Sequence, residues 1–597
     1  MVVLATLISG AALVAAQQDG SLRTRHNVIL FVPDGLRALI VNETTAPALA
    51  ALRDRGVDFA NPHSMFPTLT TLNAASMATG HYPGDHGNFS NMLWTRVPVR
   101  SVTTSVTPTM ENDVAIGDVD QAFDGDYLNE VTFVKAAREA GIRTALVGKL
   151  GPTLIFDHTD RTGEPTIVVD DATGTEAGIP LSDEMRRRLT KAGLPLQTPP
   201  RGDNGNIAGT RHANNVQQDY FVEVTTNVIL PWFKATSQPF VLVFWSRDPD
   251  GSQHNQADSL NRLEPGINGP TSMAAIHDAD GDLRRIEDAL DALGLAGTTD
   301  IIVSADHGFS TASKQSETSP AARDAYDGVP HGLLPRGFLA IDLSTLLHLP
   351  LFDPDRTMTR VTPGSGVFPF RGNGVIGNDA DHPRVVVASN GGSDLIYVPD
   401  GARETVAAIV RFLGTQDYTS GIFVDESLGT WPGTLPLGAL NLAGTARTPR
   451  PSMVVTFRSF SSGCSEPLLC AVEISDSEQQ QGQGTHGGLS RADTMNFMAA
   501  TGPDFKSRYV DAVPVGNADV GRTIASLIGV ELGGHGELLG RVLSESLRDG
   551  RAPAFTKQQI DSRGSTGNVR TRLNYSTVGG VRYFDASGTP GRTLGLR

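Results

Sequence analysis

Asp34, Thr70, Asp250, His254, Asp306, His307 and His486 together offer three carboxylates, three imidazoles and one hydroxyl. That set is enough to hold two divalent ions about 3.5–4 Å apart with a nucleophile between them, an arrangement suited to in-line displacement at phosphorus. The chemistry these residue types imply is hydrolytic. Asp250 and His254, four apart in Asp248-Pro-Asp-Gly-Ser-Gln-His254, can converge on one ion, although that spacing alone also describes a loop turn with a surface histidine. Asp306 and His307 are adjacent and can both turn toward one ion. His486 lies in the glycine-flanked run Gly484-Thr-His-Gly-Gly488, which permits close approach and equally describes a solvated turn.

The elements that must position these groups show in the apolar pattern. Val28–Val32 is a short continuous apolar run of the kind expected for a strand buried on both faces, and it stops at Pro33-Asp34-Gly35. Arg143–Val147, Phe240–Trp245, Ile301–Ser304 and Met453–Phe457 repeat the pattern, with helix-like stretches at Val131–Ala140, Asp280–Leu293 and Asp519–Leu527. Strands alternating with helices predict an α/β fold, a mostly parallel sheet with helices on both faces. Ligands bind beyond the carboxyl ends of strands in such sheets, which is where Asp34, Asp250 and Asp306 fall. Thr70 stands at the start of a helix expected over Leu72–Ala78. There it is either an N-cap or a nucleophile whose charge the helix N-terminus favours.

Composition limits the alternatives. At 597 residues, with 39% hydrophobic and 19% charged residues, the chain suits a large folded core. A net charge of −16 argues against a dedicated nucleic-acid-binding surface, so the expected partner is a small anionic substrate. Residues 1–16 read as a signal peptide ending in Val14-Ala-Ala16, without the usual preceding Lys or Arg, and predict an exported protein with no transmembrane anchor. The two cysteines, Cys464 and Cys470, suit a local disulfide or two buried thiols. Two Pro- and Gly-rich segments, 151–237 and 311–383, read as insertions at the active-site rim. The tail over 546–597 is basic and carries one hairpin-like stretch at Leu573–Phe584.

Six segments resemble the alkaline phosphatase superfamily, in particular its nucleotide pyrophosphatase/phosphodiesterase branch. They are Phe31-Val-Pro-Asp-Gly-Leu-Arg37, Phe66-Pro-Thr-Leu-Thr70, Ala78–Gly87 continuing to Asn91, Asp248–His254, Ala305-Asp-His-Gly308 and Gly484-Thr-His-Gly487. The resemblance spans about 26–545 and implies a three-layer α/β/α sandwich with large insertions. It implies that Asp250, His254 and His486 hold one zinc. Asp34, Asp306 and His307 would hold a second, with Thr70 as its bound nucleophile. Asn91 would donate to a phosphoryl oxygen. Manganese or another divalent ion also suits these ligand types. The expected reaction is hydrolysis of phosphodiester or pyrophosphate bonds through a phospho-threonine.

Two departures from the branch stand out. Leu72-Asn-Ala74 replaces its usual Pro-Asn-His, and three threonines (68, 70 and 71) crowd the motif, with Thr71 second to Thr70 as nucleophile. Related monoesterases place Lys-x-Arg after the strand that follows the nucleophile; here Lys149-Leu-Gly151 keeps one cation. Lys149 is then either a clamp for a terminal phosphate, implying an alkaline phosphatase or phosphonate hydrolase, or an ordinary solvated lysine. A sulfatase lacks its Cys or Ser here, and a cytoplasmic phosphomutase conflicts with export. A metal-stabilised binding protein of the same fold is the non-enzymatic alternative.

Overall fold

In Asn27–Pro33 (β1), Val28, Leu30 and Val32 enter one apolar cluster while Ile29 and Phe31 enter another, all of them fully buried. A strand with no polar face needs cover on both sides. The computed structural model describes residues 25–99, 105–204, 209–362 and 364–596, so the signal peptide expected over 1–16 lies outside the described residues. The cover is two helical layers. Helices Thr70–Thr79 (α1), Phe133–Glu139 and Asn517–Ile528 pack on one face. Pro47–Arg55, Asn215–Val224 and Pro270–Ala292 pack on the other.

The remaining strands of this sheet are Val57–Phe59 (β2), Arg143–Gly148 (β3), Thr166–Asp170 (β4), Phe240–Ser246 (β5), Thr299–Ser304 (β6), Met498–Thr501 (β7) and Tyr509–Asp511 (β8). Their order is β8-β2-β7-β6-β1-β5-β3-β4. β1 runs parallel to both β5 and β6, β3 runs parallel to β5 and β4, and β7 is antiparallel to both its neighbours. The α/β architecture with a mostly parallel sheet is therefore the one the chain adopts. Register brings the functional ends together: Pro33 pairs with Ser246, and Phe31 with Val303, so β1, β5 and β6 finish side by side.

One expectation needs correction. Met453–Phe457 is a buried strand but belongs to a second eight-stranded sheet, antiparallel to Ser393–Tyr397 and Thr419–Val424. An apolar run reports burial on both faces and carries no information on strand direction. Segment 151–237, expected as a rim insertion, supplies edge strand β4 and helices whose Phe221 and Phe233 pack with Phe240 and Leu242 of β5. Segment 311–383 supplies Leu351–Asp353, Thr359–Val361 and Gly374–Ile376 to the second sheet, which continues to Phe457. In the tail, Gly579-Gly580 joins Arg572–Val578 to Val581–Gly588 as an antiparallel hairpin, and Phe555–Asp561 adds a third strand. Leu573 and Phe584 pack there against Phe423 and Val454 of the second sheet. Cys464 and Cys470 form a disulfide.

A small sheet delivers the most distant candidate ligand. Gly484–Thr485 pairs antiparallel with Ser310–Ser313, which itself pairs with Ala471–Ile474. His486 is thereby set beside the chain that follows Asp306 and His307. Beneath this loop lies Glu473, fully buried. A Cβ on Gly488 would come 1.8 Å from Glu473 Oε1, so only glycine passes over it. Burial and the adjacent Asp493 carboxylate push the Glu473 carboxyl well above its usual range. Asp493 in turn accepts hydrogen bonds from Ser310 Oγ at 2.7 Å and Gly488 N at 3.1 Å. A raised folded-state pKa means the stability Glu473 contributes is complete at low pH and is lost as pH rises through that pKa. Thermal unfolding of wild type and Glu473→Gln between pH 6 and 9 should show wild type losing about 1–3 kcal/mol more than the variant. Parallel pH profiles would show that Glu473 is already ionised in the folded protein below pH 6, with its pKa not raised.

Candidate active site

Thr70 is the first residue of α1, with Leu69 as N-cap, so its hydroxyl is not spent on capping. It is 1% exposed, and the side-chain contact of its Oγ1 is His307 Nε2 at 3.4 Å. Asp34 follows β1 directly. Asp306 and His307 follow β6 after Ala305, and Asp250 opens the short helix Asp250–Asn255 (α2) just beyond β5. His254, four residues on, lies one helical turn from Asp250.

The structure brings six of these residues into two groups of three. In the first, His254 Nε2 and His486 Nε2 lie 3.1 and 3.4 Å from Asp250 Oδ1, and 3.1 Å from each other. In the second, His307 Nε2 lies 3.1 Å from Asp306 Oδ2 and 3.6 Å from Asp34 Oδ1. The groups adjoin: the His307 and His486 rings stack with centroids 3.6 Å apart. Asp34 Oδ1, Asp250 Oδ1 and Asp306 Oδ2 are all buried without a hydrogen-bond partner. Buried carboxylate oxygens left this way are costly unless a cation meets them. The residues therefore fit a pair of divalent ions, one in each group.

Each histidine is fixed by its other nitrogen. His254 Nδ1 lies 2.8 Å from Gly484 O, His307 Nδ1 2.9 Å from Gly308 O, and His486 Nδ1 2.8 Å from Thr68 O. A carbonyl only accepts, so Nδ1 carries a proton and Nε2 is the nitrogen that faces the ion position. The carboxylates are fixed in the same manner. Asp34 Oδ2 accepts from Trp245 Nε1 at 2.7 Å and Lys149 Nζ at 2.8 Å, and Asp306 Oδ1 accepts from Gly35 N at 2.9 Å.

Lys149 lies between the two groups. It is 2% exposed, and its ammonium lies 2.8 Å from Asp34, 3.1 Å from Asp250 and 2.8 Å from Glu111. An ammonium has three protons, and three carboxylates surround this one. The solvated alternative is thereby corrected: Lys149 is buried and ties one carboxylate of each group to the other. Trp245 and Glu111 were missed from sequence. Trp245 ends an apolar strand and reads as core, and Glu111 precedes a helix with no motif around it.

Asn91 stands beside the nucleophile. Its Oδ1 accepts from Thr71 N at 2.9 Å and Thr71 Oγ1 at 3.0 Å. A backbone N–H only donates, so the facing atom must be oxygen and the amide nitrogen is left directed elsewhere, with donors to offer. Thr71 is thus occupied in holding Asn91. The electrostatics follow from crowding. Burial first, then Asp250 and Asp306, hold the Asp34 carboxyl well above its usual range. Burial and the neighbouring His307 lower His486 to about 4, leaving it neutral and ready to ligate. Burial disfavours charge on His307 too, but Asp306 and Asp34 outweigh it and raise that group to about 9.

Among the described residues, no helix is long and apolar enough to cross a membrane. A sequence comparison with curated proteins yields no match. Among solved structures, human ectonucleotide pyrophosphatase/phosphodiesterase 5 is similar over 88% of this chain and 100% of its own, at 14% identity and a TM-score of 0.46. The sequence matches the type I phosphodiesterase / nucleotide pyrophosphatase family over residues 28–346, more than half of the chain. His486 lies beyond that span and joins the site through the fold alone. The chain belongs to the type I phosphodiesterase / nucleotide pyrophosphatase family and is a phosphoester hydrolase.

Proposed function

We propose that this protein cleaves phosphodiester or pyrophosphate bonds of small anionic substrates through a phospho-threonine on Thr70, with two zinc ions as cofactors. The observation that carries the reading is the placement of an uncapped, buried Thr70 hydroxyl 3.4 Å from His307, where two ligand groups with unpartnered carboxylate oxygens meet. Asp250, His254 and His486 would hold one ion, and Asp34, Asp306, His307 and Thr70 the other. A bound divalent pair lowers the pKa of a hydroxyl or water at the site and neutralises charge on the phosphoryl oxygens.

Thr70 Oγ1 attacks phosphorus in line, one P–O bond forms as the bond to the leaving oxygen breaks, and water then cleaves the phospho-threonine. The Asn91 amide donates to a non-bridging oxygen while Thr71 holds its other end. Three Nε2 lone pairs and three oriented carboxylates keep the ligand set assembled between these steps. The engagement of Lys149 by three carboxylates supports a diester preference, because no cation is left at that position to match the extra charge of a monoester. The Cys464–Cys470 disulfide supports an exported protein.

Hydrolysis of a p-nitrophenyl nucleotide diester and of p-nitrophenyl phosphate, with added zinc, tests substrate class. The diester should be preferred, and Thr70→Ala should lose at least about three orders of magnitude in kcat. Acid quenching of wild type should trap phosphate on Thr70; an active enzyme that never labels there has another nucleophile. Asn91→Ala should lower kcat/KM about 10–100-fold with metal content unchanged, the scale of one hydrogen bond to a charged group.

Lys149→Met tests the tie between the groups. Chelator competition should show affinity for both ions falling together, by about 10–100-fold, as for other lost supports of metal ligands. A loss at one site only, or a higher KM with normal metal binding, would return Lys149 to the role of phosphate clamp.

A further inference from the structure

At the opposite edge of the main sheet, where β1 and β6 begin, a second set of metal-ligating side chains converges. His26 immediately precedes β1. Asp300 is the second residue of β6 and pairs in register with Val28, and Asp504 lies between β7 and β8. One ligand atom from each of these three residues lies within 4.8 Å of the others. The segments are distant in sequence, so only the sheet brings them together. None belongs to the candidate active site at the strands' other ends.

Two features mark this as more than a surface pair. Asp300 is fully buried; its Oδ1 accepts from Asp504 N at 3.0 Å, and its Oδ2 has no hydrogen-bond partner. The loop that carries Asp504 is also moulded onto Asp300. A Cβ on Gly502, whose φ is +143°, would come 2.3 Å from Asp300 Oδ1, so glycine is required for the approach. His26 Nδ1 stands 2.9 Å from Asp504 Oδ2, and the two side chains are 21% and 15% exposed, which leaves an opening to solvent. Burial first, and then the Asp504 carboxylate, raise the Asp300 carboxyl to about 8 against the opposing pull of the Asp504 N–H and Arg548, so a cation between the two carboxylates would replace a proton there.

We propose that His26, Asp300 and Asp504 form a third divalent-metal site, structural in role, at the edge of the sheet remote from Thr70. One imidazole nitrogen and two carboxylate oxygens, completed by water, suit zinc or manganese better than calcium, which takes six to eight oxygen ligands. An ion there would meet the unpartnered Asp300 oxygen. It would also pin the start of β1 to the start of β6 and to the β7–β8 connection.

Zinc bound per full-length chain, measured by elemental analysis after equilibration in zinc-buffered solution, decides the matter. Wild type should hold one equivalent more than His26→Ala, and that variant should keep its phosphoester hydrolysis and unfold at a lower temperature. The difference between the two proteins is independent of how many ions the active site holds. His26 is partly exposed, so its replacement leaves the core intact, whereas Asp300→Asn alters a buried group and serves as the second variant. Equal zinc content in wild type and His26→Ala overturns the proposal, and Asp300 and Asp504 then share a proton instead. Loss of hydrolysis along with the ion would overturn the structural role.

Discussion

Asp34, Asp250 and Asp306 are buried against one another, and their mutual repulsion is the constraint around which the rest of the site is arranged. Burial disfavours each charge; Asp250 and Asp306 add to the penalty on Asp34, whereas against the same burial His254 and Lys149 hold Asp250, and His307 holds Asp306, below the usual carboxylate range. The chain answers with a buried cation. Lys149 places one fixed positive charge between Asp34 and Asp250, drawing the outer oxygen of each away from the ion position. The inner oxygens are left without partners, a state that only cations relieve. A site so built is incomplete as a polypeptide, and that incompleteness is what fits it to cations.

The parallel sheet is what makes such crowding attainable. Strand ends in register place three carboxylates at one edge without any of their loops crossing the core. The two flanking apolar clusters hold that edge rigid, since β1, β3, β5 and β6 each contribute buried side chains to both. Interactions near charged ligands gain from such rigidity, because preorganised dipoles need not reorient during reaction.

Much of this was legible in the sequence, for identifiable reasons. Asp34, Asp250 and the Asp306–His307 pair each follow a strand-like run, and strand ends are where α/β sheets bind ligands. The helix at Thr70 was visible from Leu72–Ala78, though it starts two residues earlier than its apolar pattern. The sequence was silent where a side chain acts through another. Trp245 reads as core because most of its surface is core; its one polar atom serves Asp34. Lys149 stands out in the sequence as a cation after a strand, but its surroundings depend on Glu111, which no spacing rule connects to it. Strand direction was likewise hidden: Met453–Phe457 has the composition of its parallel counterparts and runs antiparallel, because composition records burial and not topology.

The three histidines are oriented by main-chain oxygens of Gly484, Gly308 and Thr68. A carbonyl is present whatever side chain its residue bears. The aim of each imidazole is therefore insulated from most point changes in the loops around it, provided the backbone path is kept. Those loops are free to diverge in sequence while the inward-facing nitrogens stay in place. One inorganic core can then sit beneath rims of different chemistry, with the aim of its ligands and the choice of substrate written in separate parts of the chain.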